Sequence, residues 1–180
     1  MGRSLTLLTI CATLFSLTLS GQCPDRDSLW KRLNYIKDPS HGVPWTDQLK
    51  ELKSYEVRMK DCPYRNDSTH AYLLQRLGNT YFMLEDYQRA VQYTLQSISL
   101  IGSVAGRALG HQDRLNYCYD YYNLKTYYER LHQVKEKNAA IDSCVASAMR
   151  FNLIDADVLS FFRDRIKFLF YIGDYQRCIG

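Results

Sequence analysis

The chain has 180 residues and a formal net charge of +4. This length is enough for one compact domain or several short repeats. Lysine and arginine are scattered among aspartate and glutamate, so the sequence has no basic block of the kind that indicates nucleic-acid binding.

The N-terminus has the pattern of a secretory signal peptide, predicted for residues 1–21. One positive charge at Arg3 precedes an uncharged apolar run from Leu5 to Leu19, and small residues follow. Cleavage after Ser20 or Gly21 would release an exported protein, periplasmic or secreted. An uncleaved membrane anchor is the alternative, because the apolar run is nearly long enough to span a bilayer.

Residues 22–66 are predicted to form an N-terminal helical pair that acts as a cap. Apolar residues at helical spacing predict a helix from Asp25 to Lys37, with Asp27 or Ser28 as its cap. A second helix opens at Thr46 or Asp47 and ends before Cys62. Cys23 and Cys62 stand in similar Cys-Pro settings, which leaves two readings open: a disulfide bond between them, or two similar turns with free thiols.

The pattern that determines the fold is Leu77-Gly78-x-x-Tyr81, followed after a short turn by Tyr87-x-x-Ala90. It predicts one helix from Asn66–Ser68 to about Met83 and a second from Asp86 to about Ile101. Small Gly78 and Ala90 allow the two helices to approach closely, while the larger residues fill the space around the crossing. The string Asp86-Tyr87-Gln88-Arg89 returns as Asp174-Tyr175-Gln176-Arg177, which indicates an internal repeat.

These residues resemble the tetratricopeptide repeat. The resemblance covers residues 67–180, with one specific copy and two looser ones whose spacing exceeds the usual period of about 34 residues. In the second copy, Ala140 matches Ala90 only if about three residues are inserted between Gln133 and Lys137. The resemblance implies an all-α fold of antiparallel helix pairs stacked as an α-solenoid. The predicted packing residues are Leu77, Gly78, Tyr81, Tyr87, Ala90, Leu124, Tyr128, Ala140 and Tyr175.

The last repeat is truncated in this reading, because Gly180 comes only five residues after Tyr175. We therefore expect the chain to be the front part of a longer protein. It also resembles the exported N-terminal region of bacterial multidomain proteins, in which such repeats precede a CHAT-type peptidase domain or a sensor histidine kinase. Membrane contact would come only through the signal peptide or a missing downstream segment.

No residue pattern in the chain indicates catalysis, a metal or a cofactor. The four histidines, His41, His70, His111 and His132, lack metal-ligand spacing, and no nucleophile elbow, P-loop or dinucleotide turn is present. Cys118, Cys144 and Cys178 fall at small-residue positions in predicted helices, where a thiol is usually buried and inert. We therefore expect a protein that is not an enzyme.

The leading hypothesis for function is a scaffold that binds a protein or peptide along the concave face of its repeats. Five residues between the packing positions are predicted to line this groove: Gln75, Asn79, Phe82, Asn123 and Tyr127. One alternative is the regulatory or sensor region of a CHAT-type peptidase or histidine kinase whose catalytic domain is missing. Another is a structural spacer that oligomerises.

Overall fold

The fold comes from a computed structural model that describes residues 23–104, 109–153, 156–171 and 173–174. Seven α-helices and no strand occur in this part of the chain, so the prediction of an all-α protein is confirmed. The predicted signal peptide, Tyr175 and Cys178 lie outside the described residues. The helices are α1 (Arg26–Lys37), α2 (Trp45–Met59), α3 (Ser68–Met83), α4 (Tyr87–Val104), α5 (His111–Arg130), α6 (Val134–Arg150) and α7 (Ala156–Tyr171), with a 3-10 turn at Pro39–His41.

The N-cap of helix α1 lies earlier in the chain than its sequence pattern indicated. Its cap is Asp25 rather than Asp27 or Ser28, because the Asp25 carboxylate accepts a hydrogen bond from the Ser28 amide at 2.8 Å. One face of the helix is buried through Leu29, Leu33 and Ile36, at the three- and four-residue spacing of an amphipathic helix.

A disulfide bond joins Cys23 to Cys62, whose Cα atoms lie 5.5 Å apart. It connects the segment before α1 to the turn between α2 and α3. Arg26 supports the same junction, because its guanidinium pairs with Asp67 at 3.0 Å and donates to the Thr69 hydroxyl at 2.9 Å. Asp67 is also the N-cap of α3, so the N-terminal ends of α1 and α3 are held together.

Helices α3 and α4 approach closely at Gly78. A Cβ atom added to Gly78 would overlap the Thr94 hydroxyl and lie 3.2 Å from the Ala90 carbonyl oxygen. Leu77 and Ala90 are fully buried beside this crossing, and Tyr81 is 7% exposed. The small residues of the repeat pattern therefore lie where the helices cross.

Three connections between consecutive helices use the same turn. The residues Glu85, His132 and Asn152 have left-handed backbones, with φ of 63°, 58° and 51°. The amide after each one donates to a carbonyl five residues earlier, at 2.9 to 3.0 Å, which is the Schellman arrangement. Gly173 repeats this turn after α7, with φ of 75°.

The turn between α5 and α6 has no insertion, contrary to the alignment. Helix α6 begins at Val134, directly after Gln133, just as α4 begins at Tyr87 directly after Asp86. Ala140 is nevertheless buried, because it lies about one helical turn further along α6 than Ala90 lies along α4.

Helix α3 occupies the centre of the described structure. From α2 onward each helix packs on the next, and α3 also packs on α1 and α5. One core cluster extends from Leu29 of α1 to Ala140 of α6, so the predicted N-terminal pair shares its core with the helices that follow. Leu124 is buried in this cluster, and Tyr128 packs against it. A second cluster around Cys118, Cys144 and Phe161 joins α5, α6 and α7.

We predict that Gly78→Leu lowers the free energy of unfolding by about 1–3 kcal/mol, because the larger side chain overpacks the α3–α4 crossing. The measurement is urea denaturation followed by circular dichroism. Gly102→Ala on α4 is the control, since its new Cβ would meet only the Tyr117 hydroxyl at 3.9 Å and should not destabilise the fold. Equal losses in both variants would contradict the close approach at Gly78.

We predict that a Cys23→Ala, Cys62→Ala double variant is less stable by about 2–4 kcal/mol, because it frees the loop that the disulfide closes in the unfolded chain. Guanidinium denaturation gives the value. Reductant should destabilise the wild type similarly and leave the double variant unchanged. If a thiol assay shows that the reductant has broken the bond and the wild type is still not destabilised, the bond has no stabilising role.

Candidate functional site

A polar cleft of about 580 Å³ lies between the C-terminal end of α1, the middle of α3 and the first two-thirds of α5. Ten residues line it: Lys37, Gln75, Arg76, Asn79, His111, Gln112, Leu115, Asn116, Tyr119 and Asn123. On α5 these residues recur every three or four positions, which places them along one face of the helix. The cleft therefore lies where one face of α5 meets α3.

The chemistry of the cleft is amide-rich and cationic. Lys37 and Arg76 are the charged residues of its wall, and no aspartate or glutamate belongs to the described lining. Asparagine and glutamine side chains, which both donate and accept hydrogen bonds, form much of the rest. Such a wall favours a polar ligand with accessible oxygen atoms over an apolar one.

Arg76 is the least satisfied residue of the cleft. Its side chain is 5% exposed, and its Nε atom is buried without a hydrogen-bond partner. Desolvation lowers the pKa of this guanidinium, and the phenolic groups of Tyr72 and Tyr127 only partly oppose that effect. A buried polar group without a partner costs about 1–3 kcal/mol, and a charged one costs more.

Below the cleft, a buried network joins α3, α4 and α5. The Gln75 side-chain amide donates to the Asp120 carboxyl at 2.7 Å and to the Asn116 carbonyl oxygen at 3.0 Å. The Ser97 hydroxyl lies 2.6 Å from the other Asp120 oxygen and 2.9 Å from the Ala71 carbonyl oxygen. These contacts fix the position of Gln75 at the cleft.

The geometry of Ser97 indicates that Asp120 carries a proton. A serine hydroxyl has a single proton, so it cannot donate both to Ala71 and to an ionised Asp120. Both contacts are satisfied when Ser97 donates to Ala71 and a protonated Asp120 donates to Ser97. Asp120 is fully buried, and this burial raises its pKa to about 7 although its contacts with Ser97 and Gln75 act to lower it.

The structure places the five predicted groove residues in two different settings. Gln75, Asn79 and Asn123 line the cleft. Tyr127 is only 2% exposed, and its ring stacks on that of Phe82 with the centroids 4.8 Å apart. Phe82 and Tyr127 therefore belong to the helix packing and not to an open groove. The Tyr127 hydroxyl still supports the cleft, because it donates to the side chain of Asn79.

Sequence reasoning did not single out the other lining residues. One available signal was the polar series Gln112, Asn116, Asp120 and Asn123, whose spacing gives α5 a polar face. No comparable signal marked Arg76, because an arginine in a helix of mixed polar and apolar residues usually faces solvent. Lys37 enters the cleft only because α1 packs on α3.

The remaining candidate groups lie away from the cleft. Cys118 and Cys144 are fully buried, and burial raises the pKa of the Cys118 thiol to about 12 and that of Cys144 further. Tyr87 and Phe82 pack as a ring pair with centroids 5.6 Å apart. Within the described ranges, no three His, Cys, Asp or Glu side chains are grouped so that they could hold a metal ion.

Comparisons with protein-family models, with curated proteins and with solved structures gave no match for this chain. Among the described helices, none combines the length and the apolar character needed to cross a membrane.

We predict that Asp120→Asn becomes increasingly more stable than the wild type as the pH rises from about 4 to 7. In this range the unfolded chain loses the Asp120 proton while the folded chain keeps it, so the stability of the wild type declines. The asparagine can donate to Ser97 and accept from Gln75 without titrating. Over the range the difference should grow by roughly 4 kcal/mol, at about 1.36 kcal/mol per pKa unit, and level off above pH 7.

Urea denaturation at a series of pH values measures this difference. Asp164→Asn is the matched control with the opposite sign, because Lys125 and Tyr122 lower the Asp164 pKa although burial opposes them. It should lose stability relative to the wild type as the pH rises through the titration of that carboxyl. A difference between Asp120→Asn and wild type that does not vary with pH would contradict a buried protonated Asp120.

Proposed function

We propose that this protein is a non-catalytic scaffold that binds an extended segment of a protein or peptide partner in the polar cleft. The observation that carries the proposal is the origin of the cleft wall. The wall comes from α1, α3 and α5, which are alternate helices along the chain. In stacked helix pairs, alternate helices face the same side and form a continuous surface for a partner. The proposal thus includes a tetratricopeptide-like α-solenoid.

Three structural features support such stacking. Helix α3 packs on both α1 and α5, so successive first helices are neighbours. The turns after α3 and α5 have the same length and backbone form. Gly78 and Ala90 lie at the close crossing within the pair α3–α4.

The lining favours binding over chemistry. No cysteine, serine or carboxylate side chain belongs to the described wall of the cleft. Leu115 is the one aliphatic residue of the described lining, whereas sites for small organic ligands are mostly apolar. Amide side chains match the alternating donors and acceptors of a peptide backbone.

Export belongs to the same proposal. The disulfide between Cys23 and Cys62 fits an oxidising compartment, where such bonds form and persist. The partner would then be another exported or surface protein.

We predict that peptides selected from a random display library against the wild type bind Asn123→Trp at least about tenfold more weakly, because the tryptophan fills the cleft. A tenfold loss of affinity corresponds to about 1.4 kcal/mol of binding free energy. Isothermal titration calorimetry measures the affinity. Gln92→Trp is the control, because Gln92 is exposed on α4, and no α4 residue belongs to the described lining of the cleft. Selected peptides that bind Asn123→Trp as well as the wild type would contradict the cleft as the binding site.

A further inference from the structure

Gln75 and Asn116 form the floor of the cleft, next to the buried Asp120. Both residues line the cleft, yet they are only 6% and 7% exposed. The Gln75 side-chain amide donates to the Asn116 carbonyl oxygen and to the Asp120 carboxyl, so one side chain separates the open space from a fully buried acid. The contacts that keep this floor closed therefore also hold α3 against α5 along the cleft.

These contacts depend on the proton of Asp120. While the carboxyl is neutral, it donates to the Ser97 hydroxyl, and Ser97 donates to the Ala71 carbonyl oxygen. When the carboxyl is ionised, the single Ser97 proton must turn to Asp120, and the hydrogen bond from Ser97 to Ala71 is lost. That bond joins α4 to α3, so ionisation loosens the packing of α3 beside the cleft floor.

The described groups that contact Asp120 are neutral. Helices α3 and α4 contribute the Gln75 amide and the Ser97 hydroxyl. The ionisable groups that respond to the Asp120 charge are the phenols of Tyr121 and Tyr127 on its own helix, and burial raises the pKa of both. A buried carboxylate with two neutral donors is costly, so the ionised form is stabilised most by water.

The other charged and titratable groups around this junction are few. Lys37 and Arg76 are the cationic residues of the described lining. Helix α6 contacts α5 through the Cys144 thiol, whose pKa is raised by burial. His111 also lines the cleft, and because histidine is the side chain that most often changes charge near neutral pH, it needs a control.

We propose that Asp120 and the floor of the cleft form a proton-controlled switch. Neutral Asp120 keeps α3 and α5 closed beneath the cleft, and ionised Asp120 admits water through the floor and separates Gln75 from Asn116. A ligand that fills the cleft excludes this water and so favours the neutral, closed form. Because coupling between two sites is reciprocal, ligand binding is accompanied by proton uptake and weakens as the pH rises. This ligand-dependent part rests on the proposed function.

The first test follows the titration by NMR in the whole chain between pH 4 and pH 8. The Asp120 carboxyl carbon and the side-chain amides of Gln75 and Asn116 should shift together in one step. Its midpoint should lie above the ordinary aspartate pKa of about 4 and no higher than about 7, the value to which burial raises the pKa of Asp120, because hydration makes ionisation easier.

The wild type alone can contradict this expectation. The absence of a step below pH 8, a midpoint at the ordinary aspartate value, or a carboxyl that titrates while both amides stay unchanged overturns the switch. His111→Gln should show the same step as the wild type. A step that persists in Asp120→Asn also overturns the proposal.

The second test uses amide hydrogen exchange to show whether the opening is local. Between pH 5 and pH 7, after correction for intrinsic exchange, opening at the Gln75 and Asn116 amides should increase up to about a hundredfold more in the wild type than in Asp120→Asn, a factor of ten per pH unit. The amide of Leu52, buried in α2 outside the network, should not respond. An equal increase at Leu52 would mean that Asp120 acts only on global unfolding, which overturns the switch.

The third test adds peptides selected against the cleft, chosen without histidine so that they do not titrate near neutral pH. Isothermal titration calorimetry at pH 6 and pH 8, in buffers of different ionisation enthalpy, gives the affinity and the number of protons taken up. The wild type should bind roughly threefold to tenfold more weakly at pH 8 and take up protons, and Asp120→Asn should do neither. Whatever its effect on affinity, His111→Gln should keep the wild-type pH dependence. Equal pH dependence in the wild type and Asp120→Asn overturns the coupling.

The two proposals fail in different ways. If the first two tests give the expected results and no peptide binds the cleft, the proton-controlled switch stands and the proposed function is wrong. If peptides bind equally well at both pH values and Asn123→Trp blocks them, the scaffold proposal stands and the coupling to Asp120 is wrong.

Discussion

The burial of α3 is the constraint on which the rest of the structure depends. This helix packs on α1, α2, α4 and α5, and from Ala71 to Gly78 every residue is buried. A helix in that position needs small residues where its neighbours approach and partners for every polar side chain. Gly78 meets the first requirement. Thr80 and Gln75 meet the second, by donating to the Arg76 carbonyl oxygen and to Asp120 respectively.

The connections between helices explain how one buried helix can have so many neighbours. Schellman turns follow α3, α5 and α6, and after α3 and α5 they reverse the chain within three residues, which brings each of these helices directly against the next. The disulfide and the Arg26–Asp67 pair act at the opposite end of α3, where they hold α1 against it. With α1 and α5 on either side of α3, a space remains between them, and the polar cleft occupies it.

The cleft wall and the buried network each contain a buried ionisable side chain, and the two differ in how the fold accommodates their charge. Asp120 is fully buried, and it remains tolerable because neutral partners surround it and it can keep its proton near pH 7. An arginine cannot lose its charge in this way, since its pKa stays far above neutrality. Arg76 therefore stays charged in the wall of the cleft, although its buried Nε atom has no hydrogen-bond partner among the described residues.

The sequence by itself determined the helical class, the crossing at Gly78 and Ala90, and most of the packing positions, because these depend on spacing along one or two neighbouring helices. It also indicated Gln75, Asn79 and Asn123 as polar residues between packing positions. Tertiary structure alone decided that Phe82 and Tyr127 pack against each other, that Lys37 reaches the cleft, and that the Nε atom of Arg76 is buried without a partner among the described residues. Burial and pairing depend on residues far apart in the chain, and no local pattern records which side chains those distant helices will cover.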